Sequence, residues 1–163
     1  MVRPVDIPEV PLPGEAPQGF AERMAREKAA AAMSVSNDHV VLAADTVVAV
    51  ANQILGKPED AEDAARMLRM LSGKTHSVIT SVCLSGRDFE DIRSETTAVH
   101  FSVMTDDEIR EYVRTGEPMD KAGAYAIQGR ASRWISKIEG DYYNVVGLPV
   151  DLVWRMLREH NLI

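Results

Sequence analysis

Residues 40–50, VVLAADTVVAV, constrain the fold of this chain more than any other stretch: small and β-branched apolar side chains broken by a single acid, Asp45. The run is strand-length and rich in valine, so positions 39–50 read as a buried strand. The following ANQILGKP marks a turn around Asn52, a short return, and an end at Gly56-Lys57-Pro58. A carboxylate inside such a run is costly, because burying an unpaired charge usually forces protonation instead. Two readings follow from the residues alone. Asp-Thr caps a turn at the strand end through side-chain to backbone hydrogen bonds, or the carboxylate is functional and a cation partners it.

The rest of the chain places this strand in an α/β domain. Residues 1–17 hold Pro4, Pro8, Pro11, Pro13 and Pro17 and are expected to run extended. From Pro17 to Met33, Phe20, Met24 and the alanines recur at near-helical spacing, with Glu22, Arg23, Arg26 and Lys28 mostly on another side. EDAEDAARMLRMLSG places acids first, Arg66 and Arg69 later, and Gly73 last, the charge order that complements a helix dipole. Strands are expected over 75–85 and 92–103, joined by the loop SGRDFED. A helix from Thr105 to about Arg114 should close at Gly116, followed by a Gly-rich segment and a short strand near 137–145. A last helix should run from Pro149 to about His160, with the proline in its first turn.

Composition narrows the function classes. With 163 residues, 45% of them hydrophobic, the chain suits one domain with a real core. A net charge of −7 argues against general affinity for nucleic acid or anionic membrane, so an anionic ligand must be held by local cations. No apolar stretch reaches the roughly 20 residues of a spanning helix, and the N-terminus lacks the basic start and apolar region of a secretion signal. A cytoplasmic location is the expectation. The single cysteine, Cys83, excludes an internal disulfide and reads as a small core residue. His76 reads as a strand-edge histidine bonded to backbone, with an assisting role beside Lys74 as the alternative. His39, His100 and His160 show no ligand spacing.

Four segments, AADTVV, ILGKPEDAEDAARMLRMLSGKTHSVITSV, YVRTGEPMDKAGAYAIQG and IEGDYYNVVGLPV, resemble in order the signature segments of the Maf-type nucleoside triphosphate pyrophosphatases. The resemblance runs from about Asp6 to the C-terminus. It implies an elongated α/β fold, with a mixed, strongly bent sheet flanked by helices and a cleft between two lobes, as one domain over 1–163. It also implies hydrolysis of a nucleoside triphosphate between its α and β phosphates, with a divalent metal, Mg²⁺ or Mn²⁺. The inosine triphosphate pyrophosphatases share a similar fold and reaction, but their segments fit less well.

Residue by residue, Asp45 matches the catalytic acid and a metal ligand; the chemistry agrees, since a triphosphate repels an anionic nucleophile until cations offset its charge. Glu9, in DIPEVPLPGE, matches the acid of a segment that usually reads Asp-Glu and is the second expected metal ligand or base; Pro8 replaces the first acid. Lys28, Lys57 and Lys74 match family lysines suited to phosphate oxygens. Lys57 is the cation expected near Asp45. Lys121 and Gln128 lie in the Gly-rich KAGAYAIQG, whose backbone can approach a ligand. The YAIQG form is similar to the branch acting on dTTP and UTP, with Gln128 meeting an adjacent donor and acceptor on a pyrimidine. Thr46 matches a position tied to substrate choice. The resemblance further suggests a homodimer.

One departure concerns the family's opening strand and Ser-x-Ser-x-x-Arg loop, which supply hydroxyls, backbone donors and arginines to the triphosphate. No such segment stands in this sequence, and about 30 residues are expected to be absent by usual element lengths. The alternative expectation is therefore a catalytically weak relative that binds nucleotide or takes part in division control.

Overall fold

A computed structural model describes residues 2, 4–34 and 39–163. The described part of the N-terminal segment runs without helix until Pro17; Met1 and Arg3 of the expected extended stretch lie outside the described residues. Helix α1 spans Pro17–Met33 and buries Phe20, Ala21, Met24, Ala25 and Ala29 on one stripe. Strand β1 (Val41–Val50) turns through Ala51 and Asn52, both with positive φ, into β2 (Gln53–Leu55). Helix α2 (Ala61–Leu71) starts at Asp60, whose carboxylate accepts from the Asp63 amide at 2.8 Å, satisfying one of the first-turn donors. Strands β3 (Thr75–Ser85) and β4 (Glu90–Phe101) form a long hairpin. Helix α3 (Asp106–Arg114) opens with a reciprocal capping pair between Thr105 and Glu108.

Beyond Gly116 the chain makes three 3-10 turns, Glu117–Asp120, Ala122–Ala124 and Arg130–Trp134, before β5 (Ile135–Glu139), α4 (Tyr142–Val146) and α5 (Val150–Glu159). Here the structure corrects the expected strand over 137–145. The strand stops at Glu139 because Gly140 takes φ +128° against Thr97, and Asp141 then caps α4 by accepting from the Tyr143 amide at 2.8 Å. Pro149 precedes α5 as its cap and does not lie in the first turn.

The sheet has the order β2-β1-β3-β4-β5, with every pairing among the described residues antiparallel. The α/β class stands; the mixed sheet does not. β2 and β3 do run the same way, joined through α2, but β1 lies between them and pairs antiparallel with both.

Each face of the sheet is covered. Val47 and Ile79 pack against Phe20, Ala21 and Met24, while Cys83 sits against Ala25 and Ala29 on the same α1 side. On the other face Val48, Val50, Val78, Val99 and Phe101 pack with α2, α3, Tyr125 and Trp134, and Val82 and Leu84 pack with Leu152, Val153 and Met156 of α5. Cys83 is fully buried, as read from the sequence, and burial pushes its thiol up to about 11.

Candidate active site

Period-two alternation along β1 sends Asp45 to the α1 face and Thr46 to the opposite one. Asp45 stands mid-strand opposite Ser81, with β1 continuing five residues beyond it, which rules out the strand-end capping reading. β2 pairs only with Val48–Val50, so on that side residues 41–47 of β1 have no partner strand among the described residues. A cavity of about 460 Å³ opens there, lined from one face by Glu9, Phe20, Lys28 and Asp45, and from the other by Thr46, Tyr125, Val145 and Gly147. Lys57 and Lys121 form its rim. That volume falls within the roughly 300–1,000 Å³ of ordinary ligand pockets.

The buried Asp45 carboxylate does have a cation, contributed by α1. Lys28 Nζ lies 2.5 Å from Asp45 Oδ1 and 2.8 Å from Glu9 Oε1, so one ammonium bridges two acids. Lys57, the cation expected at Asp45, instead faces Glu9 at 3.6 Å. The correction has a simple cause: Asp45 points to the α1 face, and Lys28 lies on the side of α1 that reaches the same end of the sheet. Burial pushes the Asp45 carboxyl above its ordinary range despite Lys28. For the more open Glu9, burial is outweighed by Lys28 and Lys57, which hold it below. Lys28 loses hydration by burial, but Asp45 and Glu9 more than compensate and keep it firmly charged.

Lys57 and Lys121 reach one rim because two loops are tied together. The Gly123 amide donates to the Gly56 carbonyl at 3.0 Å. Gly123 has φ +69° and rests on Val48, where a Cβ would come within 2.9 Å of the valine methyls, so no other residue suits the position. Lys121 pairs with the exposed Asp120 at 2.7 Å and leaves its stem along the cavity.

On the Thr46 side a buried polar chain holds the wall. Thr46 Oγ1 lies 2.8 Å from Thr80 Oγ1, and Thr80 donates to the Asn144 carbonyl at 3.0 Å. The Asn144 amide donates to the Val78 carbonyl at 3.0 Å and to Thr97 Oγ1 at 2.9 Å. These bonds pin α4 to the sheet, and with it Val145–Gly147. Sequence reasoning missed Thr80 and Asn144; the one available signal was a lone amide inside the apolar run YYNVV.

Two expected substrate residues lie outside the cavity. Lys74 is exposed immediately before β3, six positions before Thr80, roughly 20 Å along the chain at the strand rise. Gln128 is exposed in a turn closed by the Gly129 amide donating to the Ala126 carbonyl at 3.0 Å, which directs it to solvent. His76 is also placed differently. It lies in an interior strand, buried among Phe101 and Tyr125, with Nε2 2.7 Å from the Tyr125 hydroxyl and no backbone partner. Burial, together with His100, lowers it to about 4, so it is neutral. His100 bonds Thr75 and Glu139, and His160 stacks on Phe89 and faces Asp91, all remote from the cavity.

The donor set suits a hard divalent cation. Two carboxylates that can share one positive centre match the way Mg²⁺ is held, by one or two protein carboxylates with the other positions left to water and phosphate oxygens. A complete all-protein cage is absent: no group of three or more His, Cys, Asp or Glu placed to hold a metal occurs among the described residues. No helix among them is long and apolar enough to cross a membrane.

Comparison with known proteins agrees over nearly the full length. A Koribacter versatilis (strain Ellin345) protein named dTTP/UTP pyrophosphatase is 51% identical over 162 residues, 99% of this chain and 84% of its own. Proteins of the same name from Geobacter sulfurreducens (50% over 155 residues; 94% and 81%) and Aquifex aeolicus (41% over 162 residues; 99% and 85%) are similarly matched. The family described as Maf-like protein covers residues 1–160, which include every side chain of the cavity, and the chain belongs to it.

Proposed function

We propose that this chain is a nucleoside triphosphate pyrophosphatase that hydrolyses dTTP and UTP to the monophosphate and pyrophosphate. One observation carries the reading. Asp45 and Glu9 meet at a single positive centre on the floor of a cavity rimmed by Lys57 and Lys121, in a chain half-identical to proteins named for that reaction.

Water adds to the α-phosphorus, the bond from that phosphorus to the bridging oxygen breaks, and pyrophosphate leaves with the electron pair. Asp45 receives the proton of the attacking water, a role suited to a carboxyl whose burial raises its proton affinity. Lys57 and Lys121 offset the charge of the β and γ phosphates, which would otherwise repel both the water and Asp45. Glu9 steadies Lys57 at the rim. A divalent cation held by Asp45 and Glu9, when bound, lowers the charge on the phosphoryl oxygens and the pKa of coordinated water. Thr46, beside the wall built by α4, is the residue we assign to contact with the nucleoside.

Nucleoside triphosphates are cytoplasmic solutes, and we place the protein there; a homodimer is also part of this reading. The test is pyrophosphate release from UTP and dTTP with Mg²⁺, comparing wild type with Asp45→Asn. Loss of about 10²–10⁴-fold in kcat is expected, the usual contribution of a positioned base. Equal rates in the variant, or no release by wild type, would overturn the reading.

A further inference from the structure

Lys28 is the most enclosed of the three cavity lysines, with a side chain 19% exposed against 58% for Lys57 and 42% for Lys121. Its ammonium contacts both carboxylates that would hold a divalent cation, and no phosphate is needed to explain its position. Two acids brought together, one of them buried, repel each other unless a cation lies between them. Lys28, in contact with both, is such a cation.

We propose that Lys28 is the resident counter-ion of the metal site. It holds Asp45 and Glu9 together in the metal-free protein, gives way when a divalent cation takes its place, and is then free to turn toward phosphate oxygens in the same cavity. The proposal rests on the reading of Asp45 and Glu9 as metal ligands. A single four-carbon stem anchored on rigid α1 allows the exchange: the ammonium moves by side-chain rotation while the backbone stays in place. Metal occupancy and the delivery of a lysine to the triphosphate thereby become one event, so each should strengthen the other.

Two measurements test this without relying on turnover. The first is Mn²⁺ affinity from the free-ion electron paramagnetic resonance signal, for wild type, Lys28→Met, Lys57→Met and Asp45→Asn. Removing a competitor should tighten Mn²⁺ binding about tenfold in Lys28→Met, whereas Lys57→Met, which removes an equal charge from the rim, should change it by about twofold or less. The second is reductive methylation of wild-type lysines read by mass spectrometry. Lys28 should be protected in chelator and become several-fold more reactive with saturating Mg²⁺, with Lys57 as the exposed reference.

Equal tightening in the two lysine variants together with unchanged Lys28 protection would overturn the exchange and reduce Lys28 to a general electrostatic influence. Unchanged Mn²⁺ affinity in Asp45→Asn would instead overturn the metal reading itself. Should Lys28→Met fold poorly in chelator, Lys28→Gln and the methylation arm on wild type decide the question.

Discussion

At the scale of residues, the site depends on where single side chains are aimed, and this separates Thr46 from Gln128. Thr46 is bonded to Thr80 and lines the cavity; Gln128 stands in solvent outside it. Gln128→Glu is expected to leave KM for UTP within about twofold, the range of a surface substitution. Thr46→Val, which removes a hydroxyl bonded inside the wall, should raise KM several-fold and leave Thr80 short of a partner. Steady-state kinetics on both variants decides it: a larger effect from Gln128→Glu would return base reading to the Gly-rich turn. The sequence singled out Asp45, because an acid among valines is anomalous, whereas Glu9 in its proline-rich segment was named only by the family resemblance. Which lysine meets them was not legible, since Lys28 and Lys57 are both near enough along the chain, and only the facing of β1 chooses between them.

At the scale of elements, α4 is the piece that a pattern of apolar residues mistakes for strand. Its five residues hold their position through Asn144, fully buried, with its amide on Val78 and Thr97. Asn144→Ala removes both of these donated bonds and should cost about 1–3 kcal/mol in urea unfolding. Because Val145–Gly147 form the cavity wall, KM for UTP should also rise at temperatures where the variant is fully folded, while Mn²⁺ affinity stays at the wild-type value. A stability loss with unchanged KM would limit Asn144 to a structural role. By contrast, α1, α2 and α3 lay close to where spacing and charge order predicted: α2 and α3 carry capping residues, acids in the first turn and a closing glycine, and α1 a proline in its first turn and a regular apolar stripe.

At the scale of the whole molecule, acid stability should report on His76. Its folded form is neutral and lowered to about 4, below the ordinary 6.5 of the unfolded chain. Above 6.5 neither state takes the proton and nothing is lost. Below it the unfolded state takes a proton that the folded state refuses, so stability falls as pH drops from 6.5 toward 4. By pH 4.5 this amounts to about 2–3 kcal/mol. Urea midpoints at pH 7 and 4.5 should show that loss in wild type and a clearly smaller one in His76→Phe, which keeps a ring beside Phe101 and Tyr125. Parallel losses in both proteins would assign the acid sensitivity elsewhere.

Local information sufficed for whatever depends on neighbours in the chain: the helices with their caps, the long strands, and the oddity of an acid among aliphatics. Tertiary structure alone decided the antiparallel order of the sheet, the short helix in place of the second half of the expected last strand, the burial of His76, and the choice of Lys28 over Lys57. Those outcomes turn on which residues far apart in sequence share one face. Periodicity says that a side chain is aimed to one side, but only packing determines what waits there.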